Sequence, residues 1–216
     1  IATKALSVAD YLVMPGRFPL VGDISPDLTP EEILSDLGIS GSPHVSLDMF
    51  SNQGTLRLRE ARIASPPLNP EQLRRSGWVR EAFFDWHGIW HAGKEGWTHM
   101  PGHGHRDCGS FELHYGKEPI FIDIGRGSYV PDVYNDLALG LSAHNTLSID
   151  NDEPYPINRP YYDARFREKN AGSPPQFVVN EGSVKLSFDW GSLPVSRTWE
   201  FHSFAVHLTD SIGGSG

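Results

Sequence analysis

Cysteine is almost absent from this chain: Cys108 is the single one in 216 residues. An internal disulfide framework is therefore excluded and the redox compartment is left open. Cys108 itself reads as a small buried core thiol. No run approaches the roughly 18 consecutive apolar residues of a membrane-spanning helix. The first residues, Ile1-Ala2-Thr3-Lys4, carry neither an initiator methionine nor a signal-peptide pattern, so the chain reads as a mature product or a piece of a longer one. Positive charge is also short. Eighteen Lys and Arg against 27 Asp and Glu leave a net charge of -9, which argues against nucleic acid or an anionic membrane as partner. A polyanionic ligand would have to be received by local positive charge, for which Arg106, Arg126, Arg159, Arg165 and Arg167 are placed. What is present suffices for one large domain, or one domain with an attached fragment, burying about 70% of its unfolded surface.

Helical signals are confined to the first third. Residues 4 to 13 read as the tail of a helix stopped by Pro15-Gly16. Thr29-Pro30-Glu31-Glu32 supplies a cap, a first-turn proline and the box glutamate of a second helix, and Asn69-Pro70-Glu71-Gln72 repeats that signature before Gly77. From Trp78 onward short aromatic and branched runs alternate with turn residues every 8 to 12 positions. Phe111 to Tyr115, turning through Gly116-Lys117-Glu118 into Ile120 to Asp123, reads as a hairpin. In Ser183 to Trp190, Val184, Leu186, Phe188 and Trp190 fall on one face. Gln176 to Val179 precedes it across Asn180-Glu181-Gly182, and Val195 to Phe201 and Ala205 to Ser211 continue the series. The expected fold is mainly β: an antiparallel β-sandwich with short N-terminal helical segments. The expected division is a helical remnant or linker over 1–40 and the sandwich over 41–216.

Chemistry concentrates in one β-rich stretch. Six of the ten histidines (His87, His91, His99, His103, His105 and His114) fall within 28 residues. On an extended strand His103, His105 and Asp107 project together, and Gly102 and Gly104 add no bulk beside them. A zinc site built from His and carboxylate would also need an oxygen ligand and another nitrogen from other strands. Asp123 ends the apolar run Ile120-Phe121-Ile122, where a carboxylate is costly unless paired or coordinated, and His144 is placed to open a strand over 145–150. Three strands would thus bring His105, Asp123 and His144 to one point. The plainer alternative is two histidines on a polar sheet face. Two long connections, 124–143 and 151–175, are rich in Tyr, Pro, Asn, Asp and Arg, and long ordered loops on a rigid scaffold tend to carry function. Their tyrosines, Tyr129 and Tyr134 among them, offer sugar-stacking faces or plugs for the sandwich ends.

These residues resemble a known family. His103-Gly104-His105-Arg106-Asp107-Cys108-Gly109-Ser110-Phe111, Phe121-Ile122-Asp123-Ile124-Gly125, Gly127-Ser128-Tyr129 and Ala143-His144-Asn145-Thr146 look like the signature of the heparinase II/III-like polysaccharide lyases, most specifically from about Gly77 to Asp150. The resemblance implies an N-terminal α/α toroid packed on a C-terminal antiparallel β-sandwich with the cleft between them, and residues 1–30 resemble the exit from that toroid. It implies lytic cleavage of an acidic, uronate-containing polysaccharide or oligosaccharide by β-elimination, in the bacterial periplasm or outside the cell. Carried over by motif, His103 is the catalytic histidine of the sandwich, and His105, Asp123 and His144 are ligands of a structural Zn2+. Asp107 and Asn145 are candidates for orienting the ligating imidazoles, and Arg126, Tyr129 and Tyr134 for holding substrate. The family's tyrosine base and its asparagine or histidine neutraliser lie on the toroid, so the 216-residue chain alone is expected to have little lyase activity. The alternatives are a non-catalytic carbohydrate-binding or exopolysaccharide-assembly module of the same fold, and a cupin-type metalloenzyme. The cupin motif expects a glutamate four or five residues after its second histidine, whereas Glu112 lies seven after His105.

Overall fold

In the computed structural model, residues 8, 11–15, 17, 19–21, 69–92, 107–126, 133–150 and 175–213 are described. The helix α1 (Pro70–Arg75) opens as its sequence requires: Asn69 caps it by accepting from the Glu71 N–H, proline occupies the first turn, and Arg74 and Arg75 close the last turn. Gly77, with φ 83°, then turns the chain into β1 (Trp78–Phe83). β2 (Trp86–His91), β3 (Ser110–Tyr115) and β4 (Glu118–Phe121) follow, forming an antiparallel sheet in chain order with β1. After α2 (Val133–Ala138) and a single 3-10 turn (Leu141–Ala143), β5 (Gln176–Asn180), β6 (Ser183–Trp190), β7 (Leu193–Phe201) and β8 (Val206–Ile212) form a second sheet, also in chain order. Among the described residues this is a mainly β architecture of two antiparallel four-stranded sheets, as expected.

The two sheets share one core. Val79, Trp86, Trp90, Phe111 and Leu113 of the first meet Phe177, Val184, Leu186, Phe188, Val195, Trp199 and Phe201 of the second. The centre is aromatic, with Trp199 set edge-on to Trp90 at 5.8 Å and to Phe111 at 5.3 Å between ring centres. The alternation read in β6 is observed: Val184, Leu186 and Phe188 are buried, and Trp190 is partly so.

The opposite face of the first sheet is covered by the N-terminal segment. Met14 and Val21 pack on Ile89, with Leu12 and Trp78 beside them. The Tyr11 hydroxyl donates to the Arg80 carbonyl at 2.8 Å, and the Arg80 Nε donates back to the Val13 carbonyl at 3.0 Å. The described residues of the stretch expected to be a linker therefore lie on the sandwich. Val8, Tyr11 and Leu12 are helical, in keeping with the tail of a helix stopped at Pro15.

Three expectations require correction. β4 starts at Glu118 and ends at Phe121, so Asp123 lies beyond the ladder rather than closing it. The apolar run is not core: Ile120 and Phe121 of β4 and Ile122 just beyond it are 51%, 46% and 46% exposed, whereas Asp123 is fully buried. The reason is positional, because among the described residues β4 stands at the edge of its sheet, with a register shift in its pairing between Leu113 and His114. Finally, His144 opens no strand. It ends the 3-10 turn, and 144–148 is irregular with a lone bridge residue at Ile149. The helix expected at Thr29 to Glu32 and the loop 151–174 lie outside the described residues.

Candidate metal and polysaccharide site

Alternation along β2 and β3 decides the layer in which chemistry is placed. Trp86, Trp90, Phe111 and Leu113 point into the sandwich, so His87, Ile89 and His91, with Ser110, Glu112 and His114, take the other face, beneath the N-terminal segment. There the chain buries Asp107, Ser110, Glu112, His114, Asp123 and His144 together with His91. Buried ionisable groups persist where they are paired, and among the described residues three carboxylate–imidazole pairs are found. His144 Nδ1 lies 2.9 and 3.0 Å from the two oxygens of Asp123. His114 Nε2 is 3.7 Å from Glu112 Oε2, and His91 Nδ1 is 3.8 Å from Asp107 Oδ2.

The Asp123 pair is the tightest, and its carboxylate is held from several sides. Ser110 Oγ donates to Oδ2 at 2.7 Å and the Gly125 N–H to Oδ1 at 2.9 Å. Gly125 has φ 64°, a left-handed conformation that favours glycine and lets the chain fold its amide back on the carboxylate. Both side chains of the Asp123–His144 pair are fully buried. Burial opposes a charge on His144, but the hydrogen bond and charge of Asp123, with the charge of Asp107 and the Ala138 carbonyl, hold its imidazole above the ordinary value.

Asn145 follows His144 directly at the end of the 3-10 turn. Its amide nitrogen donates to the carbonyls of Phe111 and Ile122, both at 2.9 Å. It therefore braces the main chain of β3 against the residue preceding Asp123. Thr146 Oγ1 donates to the Cys108 carbonyl, and Cys108 is buried in the core, as its sequence setting suggested. Asp107 is buried, next to His91 and close enough to His144 for its charge to act there. Of the substrate-holding candidates, Tyr134 stands exposed on α2 and Arg126 is partly buried immediately after Gly125. His103, His105 and Tyr129 lie outside the described residues.

Asp123 and His144 present a hard oxygen and an imidazole nitrogen at one buried point, a donor pair that suits zinc. Among the described residues no group of three His, Cys, Asp or Glu side chains is placed to hold an ion, so a third ligand would have to come from elsewhere in the chain. Sequence reasoning gave neither Ser110, quoted only within the family signature, nor Glu112, weighed only against the cupin motif, a role at this face. Their signal is the alternation Ser110, Glu112, His114, three polar residues on one face of a strand whose other face is core.

A family profile described as "Heparinase II/III-like, C-terminal" matches residues 65–198, and the chain belongs to that family. Two solved structures share its fold. One heparinase III gene product is 16% identical with a TM-score of 0.56, covering 96% of this chain and 31% of its own. Another structure, titled as heparinase III, is 15% identical with a TM-score of 0.53, covering 99% of this chain and 34% of its own. The chain thus spans about a third of the length of these structures. A comparison with curated proteins gave no match.

Proposed function

We propose that this chain is the β-sandwich part of a polysaccharide lyase that cleaves uronate-containing polysaccharide by β-elimination, with a structural zinc ion held by His105, Asp123 and His144. The observation that carries the zinc reading is the Asp123–His144 pair, buried and braced within the family-matching segment. Bound there, zinc would contribute positive charge and tie the loops bearing its ligands to the first sheet. His144 would bind it in the neutral form, releasing the proton it shares with Asp123.

In the reaction a base removes the C5 proton of the uronate, the electron pair forms the C4=C5 bond, and the C4–O4 bond breaks with proton donation to the leaving oxygen. The C5 proton is too weakly acidic for a side-chain base unless the neighbouring carboxylate's developing charge is stabilised. His103 is assigned to that end of the chemistry, as neutraliser or proton-transfer partner. Arg126, Tyr129 and Tyr134 are assigned to holding the sugar chain, with Arg126 supplying local positive charge on an acidic protein. The remaining base and neutraliser are assigned to an α/α toroid of a longer protein, located in the bacterial periplasm or secreted.

Elemental analysis of the purified chain, alongside His105→Ala, Asp123→Ala and His144→Ala, tests the site. Near-stoichiometric zinc in the native chain, lost in all three variants together with thermal stability, is the expected result. Absence of metal, with variants that melt like the native chain, would overturn the zinc assignment. It would favour a carbohydrate-binding module instead. Incubated with heparan-type glycosaminoglycan, alginate or bacterial exopolysaccharide, this chain alone is expected to generate little ultraviolet-absorbing unsaturated uronate. Robust product formation would sink the placement of the base on a toroid.

A further inference from the structure

Glu112 is a carboxylate buried to zero exposure in the middle of β3, a position where a charge is costly unless it is used. Its Oε1 accepts from two main-chain amides that are far apart in sequence: the Leu20 N–H at 2.7 Å and, at a longer 3.4 Å, the Asp123 N–H. The first is a short bond. The second reaches the residue that pairs with His144. The other oxygen, Oε2, faces His114 Nε2 at 3.7 Å, and among the described residues neither it nor either ring nitrogen of His114 has a hydrogen-bond partner. Leu20 is further confined on its carbonyl side, since a Cβ built on Gly125 would stand 3.0 Å from the Leu20 oxygen.

We infer that Glu112 is a positioning residue that locks the N-terminal segment at Leu20 to the main chain at Asp123, so that docking of that segment and the geometry of the Asp123–His144 pair are set together. Its consequence for zinc rests on the reading above, but the clamp does not. Because both amides rest on one side chain, loss of that acceptor releases both from β3 at once. Leu20 is thereby registered against the site rather than merely covering it.

Amide hydrogen exchange, followed residue by residue, tests this with Glu112→Gln, which keeps a carbonyl acceptor, and Glu112→Met, which keeps volume but offers none. In Glu112→Met the Leu20 and Asp123 amides are both expected to exchange at least about tenfold faster than in the native chain, with amides of β6 unchanged, whereas Glu112→Gln should restore most of the protection. Zinc affinity, measured by competition with a chromophoric chelator, is expected to weaken roughly tenfold or more in Glu112→Met and little in Glu112→Gln. Unchanged exchange at Leu20 or at Asp123 in folded Glu112→Met would overturn the proposal. Should Glu112→Met not fold, Glu112→Gln decides: fast exchange at both amides despite the retained acceptor would overturn it, and retained protection supports it. If the native chain takes up no zinc, the zinc reading falls while the exchange results still judge the clamp.

Discussion

Arg197, on β7 of the second sheet, donates from one guanidinium nitrogen to the carbonyl oxygen of Asn145 at 2.8 Å, across to the connection that carries His144. Asp210 fixes the rest of the guanidinium from β8 with two bonds, at 2.9 and 3.2 Å. The cation also lies 5.8 and 5.7 Å from the ring centres of Phe111 and Trp199. One buried arginine thus ties the second sheet to the residue whose amide braces the chain before Asp123. Arg197→Ala is expected to cost about 2–4 kcal/mol, since it removes a buried bidentate partner and leaves the Asn145 carbonyl without its donor. Denaturant unfolding checks this. Arg197→Lys should recover only part, because an ammonium cannot reproduce the planar fork. A loss within 0.5 kcal/mol for Arg197→Ala would mean that the tie is idle.

Gly88 faces the sandwich from β2, and a Cβ there would stand 2.1 Å from the ring of Trp90, two residues along. Trp90 has no free room, being fully buried against Trp199 and Phe201. Gly88→Ala is therefore expected to destabilise the chain by about 1–3 kcal/mol through displacement of the indole, seen as a lower melting temperature and a changed near-ultraviolet dichroism. An alanine variant that melts like the native chain would show that the sheets separate more easily than their packing implies.

His87 supplies a pH dependence that can be assigned a sign. Burial, and then the charges of Arg80 and His114, hold its imidazole below the ordinary 6.5, against a smaller opposing effect of Asp85. The folded chain therefore binds fewer protons here than the unfolded one between the two values. Stability from this residue is fully present above about 6.5 and is lost as pH falls through 6.5 toward the depressed value. His87→Gln is expected to flatten the fall in melting temperature between roughly pH 7 and 5. An identical slope in the two proteins would place the acid sensitivity elsewhere.

Much of the fold was legible because its signals are local. The Asn69-Pro70 cap, the alternation over Ser183 to Trp190, and turns such as Glu181-Gly182 each follow from neighbours in sequence. Asp123 and His144 were named together with His105 from their motifs, and the structure places Asp123 and His144 in contact. What escaped reading depends on non-local facts. The exposure of Ile120 and Phe121 follows from β4 being an edge, which no hydrophobic run records. The role of Asn145 depends on two carbonyls 34 and 23 residues away. Glu112 looks like the polar position of an alternating strand until a segment 92 residues earlier is seen to cover it.

Ser110 offers the cleanest separation of structure from ion binding. Its hydroxyl, fully buried, donates to Asp123 Oδ2 at 2.7 Å, while His144 and the Gly125 amide satisfy the same carboxylate from other directions. Ser110→Ala removes one donor from a buried charge and little volume, so the expected loss is about 1.5–3 kcal/mol of stability in the metal-free chain. If Asp123 ligates zinc, the hydroxyl also fixes which carboxylate oxygen turns toward the ion, and affinity is expected to fall roughly tenfold. The two effects separate experimentally, because unfolding is measured in chelator and affinity by competition on the folded protein. A variant that loses stability yet binds zinc as tightly as the native chain would make Ser110 a partner of the carboxylate alone, and would weaken the assignment of Asp123 as a ligand.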